Sequence, residues 1–291
     1  MADIFDRRFH PVRPDLASID YEGKVVADRF VEGSLRTIHA DFIDIRPKPD
    51  LEVAIDTQAL HGETVKVFDE TAEGWAWGQL ETDGYVGWFR SDCLAPHRNG
   101  THRVRALRTY RYPGPDLKRP PVGLISMGSA VVVVGEATTR GLDYALLSDG
   151  SAVVKGHLVL MDQTESDWVS VAEEFIGTPY LWGGRTSLGL DCSALVQISA
   201  QVARISLQRD SDVMEVDVGE AVSFDALAEL QRGDLVFWKG HVGIINAENS
   251  LLHANGHTMT VAIEPLDIAV DRISKNEWGA VSSVRRVSLP D

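Results

Sequence analysis

Two residue types in this chain could do covalent chemistry together: a cysteine set in a turn and histidines set in strands. Cys192 lies in Asp191-Cys192-Ser193, shortly after Tyr180-Leu181-Trp182-Gly183-Gly184. Apolar residues then recur at helical spacing, at Ala194, Leu195, Ile198 and Val202. Asp191 has a side chain suited to accept the open N–H groups of a first helical turn. Cys192 then falls on that turn, where the positive end of the helix dipole favours thiolate over thiol. A nucleophilic thiol needs a base. His241 and His253 each stand in an apolar, strand-like run, Gly240-His241-Val242-Gly243-Ile244-Ile245 and Leu251-Leu252-His253-Ala254. One cysteine with distant histidines is how a cysteine hydrolase reads in sequence. His241 is expected to take the thiol proton and pass it to the leaving amine, while His253 holds the other ring nitrogen of His241. His257 is the rival for that third place, in the turn Asn255-Gly256-His257-Thr258.

Other readings of the same residues are weaker. A cysteine kept as a small core residue would need neither the glycine turn nor its acidic neighbour. A cysteine with two histidines could ligate zinc, but a helix-start position suits a nucleophile better. Cys93 and Cys192 are the only cysteines, so no disulfide framework is expected. The 291 residues, 44% hydrophobic and 24% charged, have a globular composition with room for two or three domains. A formal net charge of −15 would repel a phosphate backbone and argues against nucleic acid as a partner. The start, Met-Ala-Asp-Ile-Phe-Asp-Arg-Arg, lacks the apolar segment of a signal peptide, and no later stretch reaches membrane-span length. The expectation is a cytoplasmic monomer that needs no metal or cofactor.

The elements that must position these groups can be read around them. Trp168, Val171, Ala172, Phe175 and Ile176 are helically spaced up to Gly177-Thr178-Pro179. Arg209-Asp210-Ser211-Asp212 reads as a polar loop, Phe224 to Leu227 with Leu230 as a short helix, and strands are expected at 234–238, 241–246, 251–254 and 259–263. A cysteine at a helix start, packed on an antiparallel sheet that carries histidines, is the papain-like α+β plan, assigned to residues 164–291. Residues 1–36 form a polar lead-in with a short helical possibility at Val25 to Val31. Residues 37–98 alternate in short strands, with Asp83-Gly84 as a hairpin turn. Residues 99–163 repeat them: Gly62, Val65, Val67, Leu80, Asp83 and Gly84 recur 66 positions on as Gly128, Val131, Val133, Leu146, Asp149 and Gly150. One offset over six positions reads as duplication of a small β-barrel. By that offset Trp77 and Tyr85 fall opposite Asp143 and Ser151, which concentrates the aromatic residues in the first copy.

The Tyr-x-Trp-Gly-Gly…Asp-Cys-Ser turn, Arg-Gly-Asp-Leu-Val-Phe-Trp at 232–238, His-Val-Gly-Ile and the later histidine together resemble the NlpC/P60 cysteine peptidases. Both upstream copies resemble bacterial SH3-like domains, the first more clearly. The resemblance implies cleavage of γ-D-glutamyl bonds to a diamino acid in murein tripeptides or tetrapeptides with a free N-terminal L-Ala. Without an export signal, such an enzyme would meet wall fragments already brought inside, in recycling. It also implies that Asp191, Ser193 and Ser211, with Asp210 beside them, line the substrate pocket, and that Tyr180 or a backbone group near it joins the Cys192 N–H in stabilising an oxyanion. In relatives an acid and a tyrosine of the first SH3-like domain hold the substrate's amine. Tyr85 matches that tyrosine through Gly-Tyr-Val-Gly-Trp, and Asp56 and Glu63 are both open for the acid. An amidase or acyltransferase of the same fold, or a wall-peptide-binding protein, is the alternative.

Overall fold

Residues 162–291 form one compact unit and residues 1–161 another. The structure, a computed structural model, describes residues 5–224, 229–276 and 278–287. The short helix expected at Phe224 to Leu227 lies largely outside the described residues.

In the second unit, α1 (Trp168–Glu173) is capped by Asp167, whose carboxylate accepts from the N–H groups of Val169 and Ser170. The helix α2 (Cys192–Gln201) follows, and then α3 (Ser211–Asp217). Ser211 and Asp212, expected from sequence in a polar loop, thus open a helix. Six strands make one sheet: β1 (Glu220–Val222), β2 (Asp234–Trp238), β3 (His241–Ala247), β4 (Ser250–Asn255), β5 (Thr260–Pro265) and β6 (Ser283–Arg286). Their spatial order is β1-β6-β2-β3-β4-β5, with every neighbour antiparallel. α2 packs against β3 and β4. α4 (Leu266–Asn276) follows β5 directly and lays Leu266, Ala269 and Ile273 on Ile245 and Leu251 of the sheet.

Strand register decides which side chains share a face. Leu251 pairs with Ile245 and with Glu264, and side chains opposite one another point the same way. Two residues along a strand return to the same face. His241, His253 and Glu264 therefore lie on one face of the sheet, the face that α4 covers.

In the first unit, Val86–Arg90, Trp75–Leu80, Thr64–Glu70, Ser34–Ile38 and Leu94–Pro96 form a five-stranded sheet in that order, and Phe42–Ile45 pairs with Thr57–Leu60. Ile38, Ile43, Val65, Leu80, Tyr85 and Phe89 belong to its core. Residues 102–160 repeat specific bonds of this block. Gly62 N–H donates to Ile38 O, and Gly128 N–H to Val104 O. Asp83 accepts from the N–H of Tyr85, and Asp149 from that of Ser151, beside Gly84 and Gly150 at φ +75° and +85°.

The constant offset fails in the hairpin between. Residues 81–84 separate Leu80 from Tyr85, whose carbonyl accepts its N–H, whereas only 148–150 separate Leu147 from Ser151. With one residue fewer in the turn, the preceding strand slides by one place. Leu147, not Leu146, takes the place of Leu80, and the buried Tyr144, not Asp143, that of Trp77.

The lead-in is not helical at Val25 to Val31. Among its described residues there is one 3-10 turn, Ile19–Tyr21, and Phe30–Val31 pairs with Ala17–Ser18. Phe9, Leu16 and Val31 of this segment pack on the first block, while Val26 is exposed. Leu16 packs with Phe68, Trp77 and Val86. The Arg13 guanidinium lies 4.4 Å from the Trp77 ring centroid and 4.7 Å from that of Trp88, held by Asp15 and Asp69. The aromatic face is therefore covered by the chain's own residues.

Candidate active site

Cys192 is the first residue of α2, and Asp191 is its N-cap. The cap does more than start a helix. Asp191 Oδ1 accepts the Ala194 N–H at 2.9 Å and the Ser193 hydroxyl at 3.2 Å. Oδ2 accepts the Gly183 N–H at 3.0 Å and Arg209 Nη2 at 2.6 Å. Arg209 is fully buried and also donates to Ser193 Oγ and to the Gly184 carbonyl. One carboxylate thus fixes the glycine turn, the helix start and the segment leading into α3, and balances a buried cation. Both turn glycines are required: Gly183 has φ +72°, and a Cβ on Gly184 would stand 2.6 Å from the Gly189 carbonyl oxygen. Asp210, at φ +73°, places its carboxylate 3.8 Å from Arg209 Nη1, and Ser211 opens α3, buried.

The backbone N–H groups of Val242 and Ser193 favour the Cys192 thiolate, which sets the thiol beside the strand that begins with His241. His241 Nε2 is 2.8 Å from His253 Nδ1, and His253 Nε2 is 2.7 Å from Glu264 Oε1, which also accepts from Arg272 on α4. His241 is 4% exposed and His253 fully buried. His257 is exposed in its turn, away from this chain of bonds. Glu264 and Arg272 escaped the sequence reading, which stops at the strand ending near residue 263. The signal was present: an acid closing an apolar strand, then Leu266, Ala269, Val270 and Ile273 at helical spacing.

Electrostatics corrects the expectation of a thiolate stabilised by the helix start alone. Burial, then the charge of Asp191, pushes the Cys192 thiol up to about 12, against the pull of the Val242 N–H and Arg209. Burial holds His241 well below its ordinary value, with His253 and Arg272 adding to it. An isolated thiolate and an isolated imidazolium are both disfavoured here. Formed together by one proton transfer, they carry no net charge and offset each other's desolvation.

Tyr180 is half-buried, and its backbone N–H is taken by the Met259 carbonyl at 2.8 Å, which removes that N–H from the oxyanion role. Tyr85, Asp56 and Glu63 belong to the first unit. The Tyr85 ring lies in the core with Phe9 edge-on at 5.4 Å. Glu63 accepts the Leu60 N–H at 2.7 Å and the Thr82 hydroxyl at 2.8 Å, bracing a turn. Asp56 is paired with Arg7 at 2.8 Å. Among the described residues no group of three or more His, Cys, Asp or Glu is arranged to hold a metal ion, and no helix is long and apolar enough to cross a membrane.

A helix-start cysteine against an antiparallel sheet whose histidine is oriented by a second polar residue defines a papain-like cysteine peptidase. The chain belongs to the NlpC/P60 family: residues 177–281 match that family, and residues 45–94 match the bacterial dipeptidyl-peptidase SH3 domain. It is 35% identical over 119 residues to the probable endopeptidase NlpC of Escherichia coli, covering 38% of this chain and 68% of that protein. It is 24% identical over 244 residues to the γ-D-glutamyl-L-lysine dipeptidyl-peptidase of Bacillus cereus, covering 73% of this chain and 71% of the relative. The crystal structure of an NlpC/P60 family protein from Bacillus cereus superposes with a TM-score of 0.72 at 20% identity, over 88% of this chain and all of the other, and so shares its fold.

Proposed function

We propose that the protein hydrolyses the γ-D-glutamyl–diamino acid bond of short murein peptides bearing a free N-terminal L-Ala. The hydrogen-bonded run from His241 through His253 to Glu264, starting one residue before the Val242 N–H that favours the Cys192 thiolate, carries the catalytic part of this reading. The resemblance to a γ-D-glutamyl-L-lysine dipeptidyl-peptidase supports the substrate class. His241 Nδ1 takes the thiol proton, and the sulfur attacks the γ-carbonyl carbon. The C–N bond breaks as His241 returns that proton to the diamino acid's amine, leaving a thioester. Water, deprotonated by His241, then attacks, and the C–S bond breaks. The oxyanion is met by the Cys192 N–H and the Tyr180 hydroxyl. Asp191 acts chiefly as a positioning residue, while Ser193, Asp210 and Ser211 face the glutamyl group.

In this reading residues 99–163 are a second SH3-like domain, and Tyr85 with an acid holds the substrate's ammonium. Asp56 suits the acid better than Glu63, whose oxygens brace a turn. The protein acts on peptides inside the cell, as a monomer.

The test is product analysis of L-Ala-γ-D-Glu-L-Lys and its meso-diaminopimelate counterpart. Wild type should release L-Ala-D-Glu and the diamino acid, and Cys192→Ser should lose about 10⁴-fold or more in kcat/KM. Intact substrate with wild type, or unchanged turnover in Cys192→Ser, would overturn the reading.

A further inference from the structure

We propose that Glu264 and Arg272 are a paired control on the base: Glu264 fixes the proton positions of both histidines, and Arg272 keeps Glu264 from drawing a second proton onto His253. The inference rests on the Cys192–His241 reading of the site. It starts from donors and acceptors. An ionised Glu264 can only accept, so the His253 nitrogen 2.7 Å away must carry a proton and donate it. A neutral His253 then has a bare Nδ1, which accepts from His241 Nε2–H at 2.8 Å. That leaves His241 Nδ1 without a proton, which is the state a general base requires. Three residues on one face of the sheet thus specify one tautomer.

The same geometry contains its failure. If His253 gains a proton at Nδ1, it donates to His241 Nε2, and neutral His241 must carry its own proton at Nδ1. The base is then blocked while the thiol is still protonated. A lone carboxylate beside His253 would favour that blocked state. Arg272 shares the same Glu264 oxygen and opposes it. β3 brings His241, β5 brings Glu264 and α4 brings Arg272, while α2 brings Cys192 with Asp191 and Arg209 at its start. Glu264 is held down to about 2, by His253 first and Arg272 with it, so it stays ionised through any working pH.

The two partners therefore act in opposite directions on the acid limb of the pH profile. The probe is the rate of iodoacetamide alkylation of Cys192, read by peptide mass mapping from pH 4 to 9, alongside kcat/KM for the tripeptide. Arg272→Gln should move the acid limb up by about one pH unit, because a nearby opposing charge is removed. Arg272→Lys, which keeps the charge, should restore it. Glu264→Gln should lower the alkylation rate about tenfold or more at the pH optimum, because an amide can present either a donor or an acceptor to His253. Its acid limb should move down, not up. Circular dichroism checks the fold, and if Glu264→Gln does not fold, the Arg272 pair decides alone. An unmoved acid limb in Arg272→Gln, Arg272→Lys behaving like Arg272→Gln, or limbs shifted the same way in Glu264→Gln and Arg272→Gln would each overturn the proposal. Alkylation needs no substrate, so a failed peptide assay would count against the substrate reading and not against the relay.

Discussion

Burial and reactivity pull in opposite directions at the two thiols. Cys93 is partly exposed and Cys192 is 7% exposed, and both are raised, to about 11 and about 12. If access and burial alone governed, Cys93 would react first. Proton transfer to His241 should reverse that order, so iodoacetamide at neutral pH should modify Cys192 well before Cys93. Equal labelling, or Cys93 first, would remove the base from the account. The histidines should separate by role. His241→Ala should abolish turnover, His253→Ala should lose about 10- to 100-fold in kcat/KM, and the exposed His257→Ala should leave it unchanged. A larger loss at His257 than at His253 would displace His253 from the third position. His253 was legible as a strand histidine after the base. Its partner Glu264 was not, because a strand acid is ordinarily a solvated side chain until register shows what it faces.

At the scale of elements, the start of α2 depends on a single carboxylate. Asp191→Ala removes a cap, worth about 1 kcal/mol, and leaves the buried Arg209 with only the more distant Asp210 carboxylate, 3.8 Å away, a further cost of up to about 3–5 kcal/mol. Asp191→Asn keeps an acceptor for the Ala194 N–H but loses the charge. Urea midpoints should fall in the order wild type, Asp191→Asn, Asp191→Ala, with the first step already large. If Asp191→Asn were as stable as wild type, the ion pair with Arg209 would not be what holds this turn. The cap was visible in Asp-Cys-Ser. Arg209 was read as part of a polar loop, since nothing local marks an arginine that a turn far back in the chain will neutralise. In the first unit, the repeat was legible from its glycines and Asp-Gly turns. Its strand register was not, because a one-residue change in a hairpin shifts every side chain of the strand before it.

For the whole molecule, the question is selectivity for a free amine. In the proposed reading Tyr85 and Asp56 hold the substrate's terminal ammonium. An N-acetyl group there would remove the charge and the N–H donors that these residues are proposed to hold, a loss of about 1–3 kcal/mol before any clash. Wild type should therefore cleave free L-Ala-γ-D-Glu-diamino acid at least about tenfold better than its N-acetylated form. Tyr85→Phe should lower kcat/KM for the free peptide modestly, and Tyr85→Ala more. Equal kcat/KM for the two peptides in wild type would leave Tyr85 a core residue and Asp56 the partner of Arg7, the places they already fill.

Sequence by itself determined the chemistry and its order: a helix-start cysteine with its cap, and two histidines in strands of one antiparallel sheet. Those signals are local, since a cap lies beside its helix and a strand histidine sits within its own apolar run. Only the tertiary structure decided what each charged group answers to. Glu264 reached His253 because β5 pairs with β4 in one register, and Arg272 reached Glu264 because α4 folds back over that face. Arg209 found Asp191, and Arg13 found two tryptophan rings, by the same kind of long-range approach. The thiol's burial, and hence its reluctance to ionise alone, follows from packing that no neighbouring residue announces.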